Sequence, residues 1–141
     1  LGVTGWQDAI MGDYAGIDDP SATYLRAAMN GDLVATVVGA LWWDRDRGAE
    51  QIPELVQRRA TYSHGRLRAT SVKVMQDGVA ENYTAALSAP YLDRCGHPTD
   101  NRGHSFVDGH ALQQYVVALA SVPALPADSP VSDELPGSQA P

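Results

Sequence analysis

The spacing of apolar and polar residues changes several times along the chain, and each change marks an expected element. Residues 1–18 keep no period: Gly2, Gly5, Gly12 and Gly16 interrupt the apolar anchors Trp6, Ile10 and Tyr14, which predicts a glycine-rich irregular arm. Asp19-Pro20 then suits a helix start, because a carboxylate accepts free first-turn N–H groups and proline needs none. Ala22, Leu25, Ala28 and Met29 fall on one side of the helix that follows, and Asn30-Gly31 ends it.

Residues 33–43 are apolar on every side. Periodicity cannot separate a buried helix from a buried strand here, and the length of the run favours a second helix despite the β-branched Thr36, Val37 and Val38. A polar turn at 44–48 leads to a third helix from Pro53 to about Tyr62. From Arg66 the period becomes two, and Gln76-Asp77-Gly78 divides residues 66–89 into two expected strands of a hairpin. Ala111, Leu112, Tyr115, Val116 and Leu119 share a face of a last helix opened by Asp108 or Gly109. The final twenty residues hold five prolines and little that could form a core.

The expected fold class is therefore α+β. A single small domain covers residues 1–121, with N-terminal helices, a central β-hairpin or small antiparallel sheet and one later helix; residues 122–141 form an extended proline-rich tail. With 141 residues, 44% of them hydrophobic and 19% charged, the chain is long enough for one core and too apolar for general disorder. The longest apolar run falls well short of the ~20 residues of a membrane span, and no signal peptide is visible at the start. One cysteine permits no internal disulfide, so an intracellular or virion location is expected.

Charge changes this picture. Arg58, Arg59, Arg66, Arg68 and Lys73 occupy a window without a carboxylate, so a net charge of −7 divides into +5 here and −12 elsewhere. Arg66 and Arg68, two apart on an expected strand, share a face about 7 Å apart. Such a patch suits a polyanion or an acidic face of a neighbouring subunit, and with Tyr62 as the lone interleaved aromatic any nucleic-acid contact would be non-specific.

The remaining candidate chemistry lies in CGHPTDNRGHSFVDGH, residues 95–110. Cys95, His97, His104 and His110 are ligand types for zinc or copper. Their C-x-H-x6-H-x5-H spacing matches no common zinc framework, and an extended C-x-H segment would send its two side chains to opposite faces. Cys95 with His104 or His110 and Asp100 or Asp108 also supplies the residue types for nucleophilic catalysis, without a recognisable catalytic motif.

The function expected on these grounds is a structural or interaction subunit of a larger assembly, most concretely a virion or phage structural protein. It would contact other subunits through the arm and tail, with non-specific nucleic acid at the basic patch, and it would carry no cofactor. The alternatives are a small metal-binding protein or hydrolase-type enzyme using Cys95 to His110, and a non-catalytic accessory subunit of an enzyme complex.

Overall fold

A computed structural model of the chain describes residues 2–123; the expected tail, from 124 onward, lies outside the described residues. The fold is mixed α and β, with three α-helices and a four-stranded sheet. In chain order the elements are β1 (Gly5–Met11), α1 (Ser21–Met29), β2 (Thr36–Trp42), α2 (Ile52–Thr61), β3 (Ser63–His64), β4 (Leu67–Lys73) and α3 (Gly109–Ala120). Single 3₁₀ turns occur at Ala49–Gln51 and Ala80–Asn82.

The residues divide into two compact units. The described residues of the first are 2–43, 49–73 and 122–123, and their strand order is β1-β2-β4-β3. β1 and β2 are parallel, as are β2 and β4, and only the two-residue β3 runs antiparallel to β4. Leu67 of β4 lies opposite Val37 of β2. Both are fully buried, and with Leu25 of α1 they form a core closed by Tyr24, Ala28, Met29, Leu33 and Tyr62.

Three expectations change here. The irregular arm contains β1, whose residues order because β2 offers a hydrogen-bonding partner that the local sequence does not reveal. The segment expected as a second helix is β2: its β-branched start fits a strand buried in a parallel sheet, where both faces can be apolar. The central hairpin is absent. Its first strand exists as β4, but β4 pairs with β2 and β3, while Ala80–Asn82 forms a 3₁₀ turn. The sheet is thus mainly parallel.

The helices at 21–29, 52–61 and 109–120 lie where the sequence places them. Asp19 Oδ1 accepts the Ser21 amide at 2.9 Å at the start of α1, and Asp108 Oδ1 accepts the amides of His110 and Ala111 at α3. No described helix is long and apolar enough to cross a membrane.

The second unit, Asp44–Gly48 with Val74–Ser121, contains α3 and an irregular region held by backbone hydrogen bonds. There the segment 84–92 runs beside 97–104: Leu87 donates to Arg102 O, Tyr91 to Asn101 O, Thr99 to Tyr91 O and His104 to Thr84 O, at 2.8–3.0 Å.

Candidate functional site

The structure separates the five cations of the basic window. Arg58, on α2, turns inward: its Nη2 reaches Asp19 Oδ2 at 2.6 Å, Ser21 Oγ at 3.2 Å and the Met11 carbonyl at 3.2 Å. Its guanidinium also lies over the Tyr62 ring at 5.4 Å. One side chain thus joins the end of β1, the start of α1 and α2. Burial raises the Asp19 pKa, but hydrogen bonds from the Ser21 hydroxyl and amide and from Arg58 outweigh it, and the carboxyl titrates below its ordinary value.

This arrangement is structural and gives a pH-dependent prediction. A carboxyl whose folded pKa is depressed contributes stability above its unfolded pKa of about 3.9, and that contribution is lost as pH falls through the lower folded value. Arg58→Ala and Asp19→Asn are each expected to cost about 1.5–3 kcal/mol at pH 7, the range for hydrogen bonds to charged groups. The gap between Asp19→Asn and the native chain in urea titrations should shrink below about pH 4. A gap unchanged down to pH 2 would contradict this role.

Arg59 donates from Nη1 to the Pro123 carbonyl at 3.3 Å. Arg66, Arg68 and Lys73 are exposed, and among the described residues none of them has an ion-pair partner. Arg68 pairs across the strands with Val38, and it is exposed between the buried Leu67 and Ala69. It therefore projects from the face of the sheet opposite the core.

That opposite face has no helix on it among the described residues of the first unit. Gly5, Trp6 and Gln7 of β1, Thr36 and Val38 of β2, and Thr70 and Ser71 of β4 line a shallow open groove across three strands. Topology explains this. Parallel crossovers are right-handed as a rule, and two of that hand advancing in one direction, as the order β1 to β2 to β4 does, put both connecting helices on the same side. Among the described residues β1 also leaves one edge unpaired, without a lysine or proline to blunt it. Its one charged residue is engaged: Asp8 Oδ2 accepts from the Tyr24 hydroxyl at 2.9 Å, and that oxygen accepts from Trp6 Nε1 at 3.3 Å.

The second candidate lies at a turn of the second unit. Asp93 Oδ1 accepts the amides of Cys95 and His97 at 2.8 and 2.9 Å, and the Asp93 amide donates to the His97 carbonyl at 2.8 Å. Gly96 has φ +84°, the left-handed conformation that closes the turn. The Cys95 and His97 side chains therefore do not diverge as in an extended segment. They gather with Asp93, and one donor atom from each lies within 4.8 Å of the others. The backbone amide of His97, with those of Cys95 and Gly96 and the His97 side chain, holds the Asp93 carboxyl below its ordinary pKa.

His104 and His110 are not members of this cluster, which is the one such group among the described residues. His104 stacks against Phe106, with 6.3 Å between ring centroids, and His110 lies in the first turn of α3, both being exposed. Sequence reasoning missed Asp93. The signal was its place two residues before the cysteine, where an Asx-type turn bends the chain back on itself.

No protein-family model, curated protein or solved structure matches this chain.

Proposed function

We propose that the protein is a non-catalytic subunit of a larger assembly, and that the bare sheet face of its first unit seats against an acidic surface of a second copy. The observation that carries this reading is a face of a mainly parallel sheet that, among the described residues of its unit, bears an open groove, with Arg68 beside Val38 and without an ion-pair partner among those residues. Parallel sheets are ordinarily covered on both faces, since their strands are apolar in both directions. Removal of Thr36, Val38 and Thr70 from water supplies the hydrophobic part of the contact, and the cations set its register.

Charge favours protein over nucleic acid. With Arg58 committed to Asp19 and Arg59 to a backbone carbonyl, Arg66, Arg68 and Lys73 remain. Three phosphate contacts give a log–log salt slope of only about −3, against 6–10 contacts for a protein whose binding rests on the phosphate backbone. The same cations can meet carboxylates of a second copy, because the rest of the chain carries −12. A basic face meeting a different, acidic face is a heterologous contact, which builds rings or filaments. A virion shell is one assembly of this kind.

The test is mass by light scattering across a salt series. Multiples of the chain mass are expected at low salt, dissociating as salt rises, with Arg68→Glu weakening association at least tenfold. A chain that stays monomeric at every concentration and ionic strength refutes the proposal, as does an assembly indifferent to both Arg68→Glu and Val38→Lys.

A further inference from the structure

We propose that Asp93, Cys95 and His97 form a binding site for a divalent transition metal of the zinc class. It lies in the second unit. The three residues offer a thiolate, an imidazole nitrogen and a carboxylate oxygen, the donor types that borderline-soft ions prefer over magnesium or calcium, which take oxygen alone.

Geometry supports joint chelation. For metal–ligand distances of about 2.0–2.3 Å, neighbouring donors of a tetrahedral ion stand roughly 3.3–3.8 Å apart. His97 Nδ1 and Asp93 Oδ2 are already 3.5 Å apart, and all three donors lie within 4.8 Å of one another. Small side-chain rotations close the remaining distance. Asp93 divides its work: Oδ1 takes the two turn amides, while Oδ2 faces the imidazole and can bind the ion.

The turn is also arranged before any ion arrives. Its ends are joined by the Leu92 and Pro98 bridge, and the Gly96 amide donates to the Asp93 carbonyl at 3.1 Å. Little backbone entropy is left to lose on binding, which favours a short, exposed three-ligand site. Binding releases the Cys95 thiol proton to solvent and leaves the fourth tetrahedral position to water.

The experiment is titration of the untagged full chain with cobalt(II), followed by the thiolate-to-cobalt charge-transfer band and the visible bands of four-coordinate cobalt. The chain has one cysteine, so any thiolate band reports Cys95. One equivalent should saturate the signal and zinc(II) should displace it. Cys95→Ser should abolish the band, and His97→Ala and Asp93→Asn should each weaken binding at least tenfold. Asparagine keeps the oxygen that accepts the turn amides, so Asp93→Asn tests ligation with the turn retained. His104→Ala and His110→Ala should change nothing. Absence of a band at millimolar cobalt(II) refutes the site, as does a half-equivalent endpoint from two chains sharing an ion through Cys95. A band that survives both His97→Ala and Asp93→Asn marks adventitious thiol binding and refutes it equally.

Discussion

Replacing Leu67 with alanine is expected to lower the free energy of unfolding of the first unit by about 2–5 kcal/mol, the range for large-to-small changes in a packed core. Leu67 is fully buried and stands where β4, β2 and α1 meet, against Val37 and Leu25, with Tyr24, Ala28, Met29, Leu33 and Tyr62 around them. The loss has two parts. Three carbons leave an apolar environment, and the surrounding side chains, fixed on a sheet and a helix, can only partly fill the space they vacate. The three tryptophans, Trp6, Trp42 and Trp43, all belong to this unit, so their fluorescence in urea reports its unfolding directly. Leu92→Ala, at a position 55% exposed in the second unit, should change stability by less than about 0.5 kcal/mol and serves as the control. A loss below about 1 kcal/mol for Leu67→Ala would mean that this cluster is not the core.

Gly103→Ala is expected to disrupt the second unit, at a cost of about 2–5 kcal/mol from two terms that act together. Gly103 has φ +76°, where a side chain costs roughly 1–2 kcal/mol by clash with its own backbone. A Cβ there would also stand 2.8 Å from the Thr84 carbonyl oxygen and overlap the Ala85 carbonyl. Those atoms are backbone and cannot rotate away, so relief requires separating the segments 84–92 and 97–104, adding about 1–3 kcal/mol of overpacking. Hydrogen exchange gives the readout: the amides of His104 and Leu87, which bridge those segments, should lose protection. Tryptophan fluorescence of the first unit should unfold at nearly the native midpoint. Unchanged protection at both amides would overturn the expectation. Gly109→Ala, where an added Cβ meets nothing, is the matched substitution that should be tolerated.

Much of the helical part of this protein was legible in the residues. Asp19, Asp108 and Pro53 mark helix starts by chemistry that acts within one turn, so α1, α2 and α3 lie where expected. The strands were harder to read, for a physical reason. A strand's hydrogen bonds go to a partner distant in sequence, and β1 with its glycine and polar residues carries no local sign of the Thr36–Trp42 segment that orders it. Residues 66–89 show the converse. Local alternation and Asp77-Gly78 favoured a hairpin, but β4 pairs with β2 and β3, while the second expected strand holds a 3₁₀ turn and bonds instead to residues 102–104.

The candidate sites divide in the same way. Composition isolated Arg58, Arg59, Arg66, Arg68 and Lys73 as a group, but it could not know that Arg58 would bond Asp19 across 39 positions while Arg68 has no ion-pair partner among the described residues. Cys95 and His97 stood out by residue type, whereas their convergence required a turn built on Asp93 and Gly96.

By itself the sequence determined the mixed α and β character, the positions of α1, α2 and α3 and the unequal distribution of charge, because caps, periods and ionisable groups act locally or are simply counted. Only the tertiary structure decided that the sheet is mainly parallel, which cations lack an ion-pair partner among the described residues and which candidate ligands meet. Those properties belong to pairings between distant residues, where the most favourable partner among several prevails, and no single segment specifies that outcome.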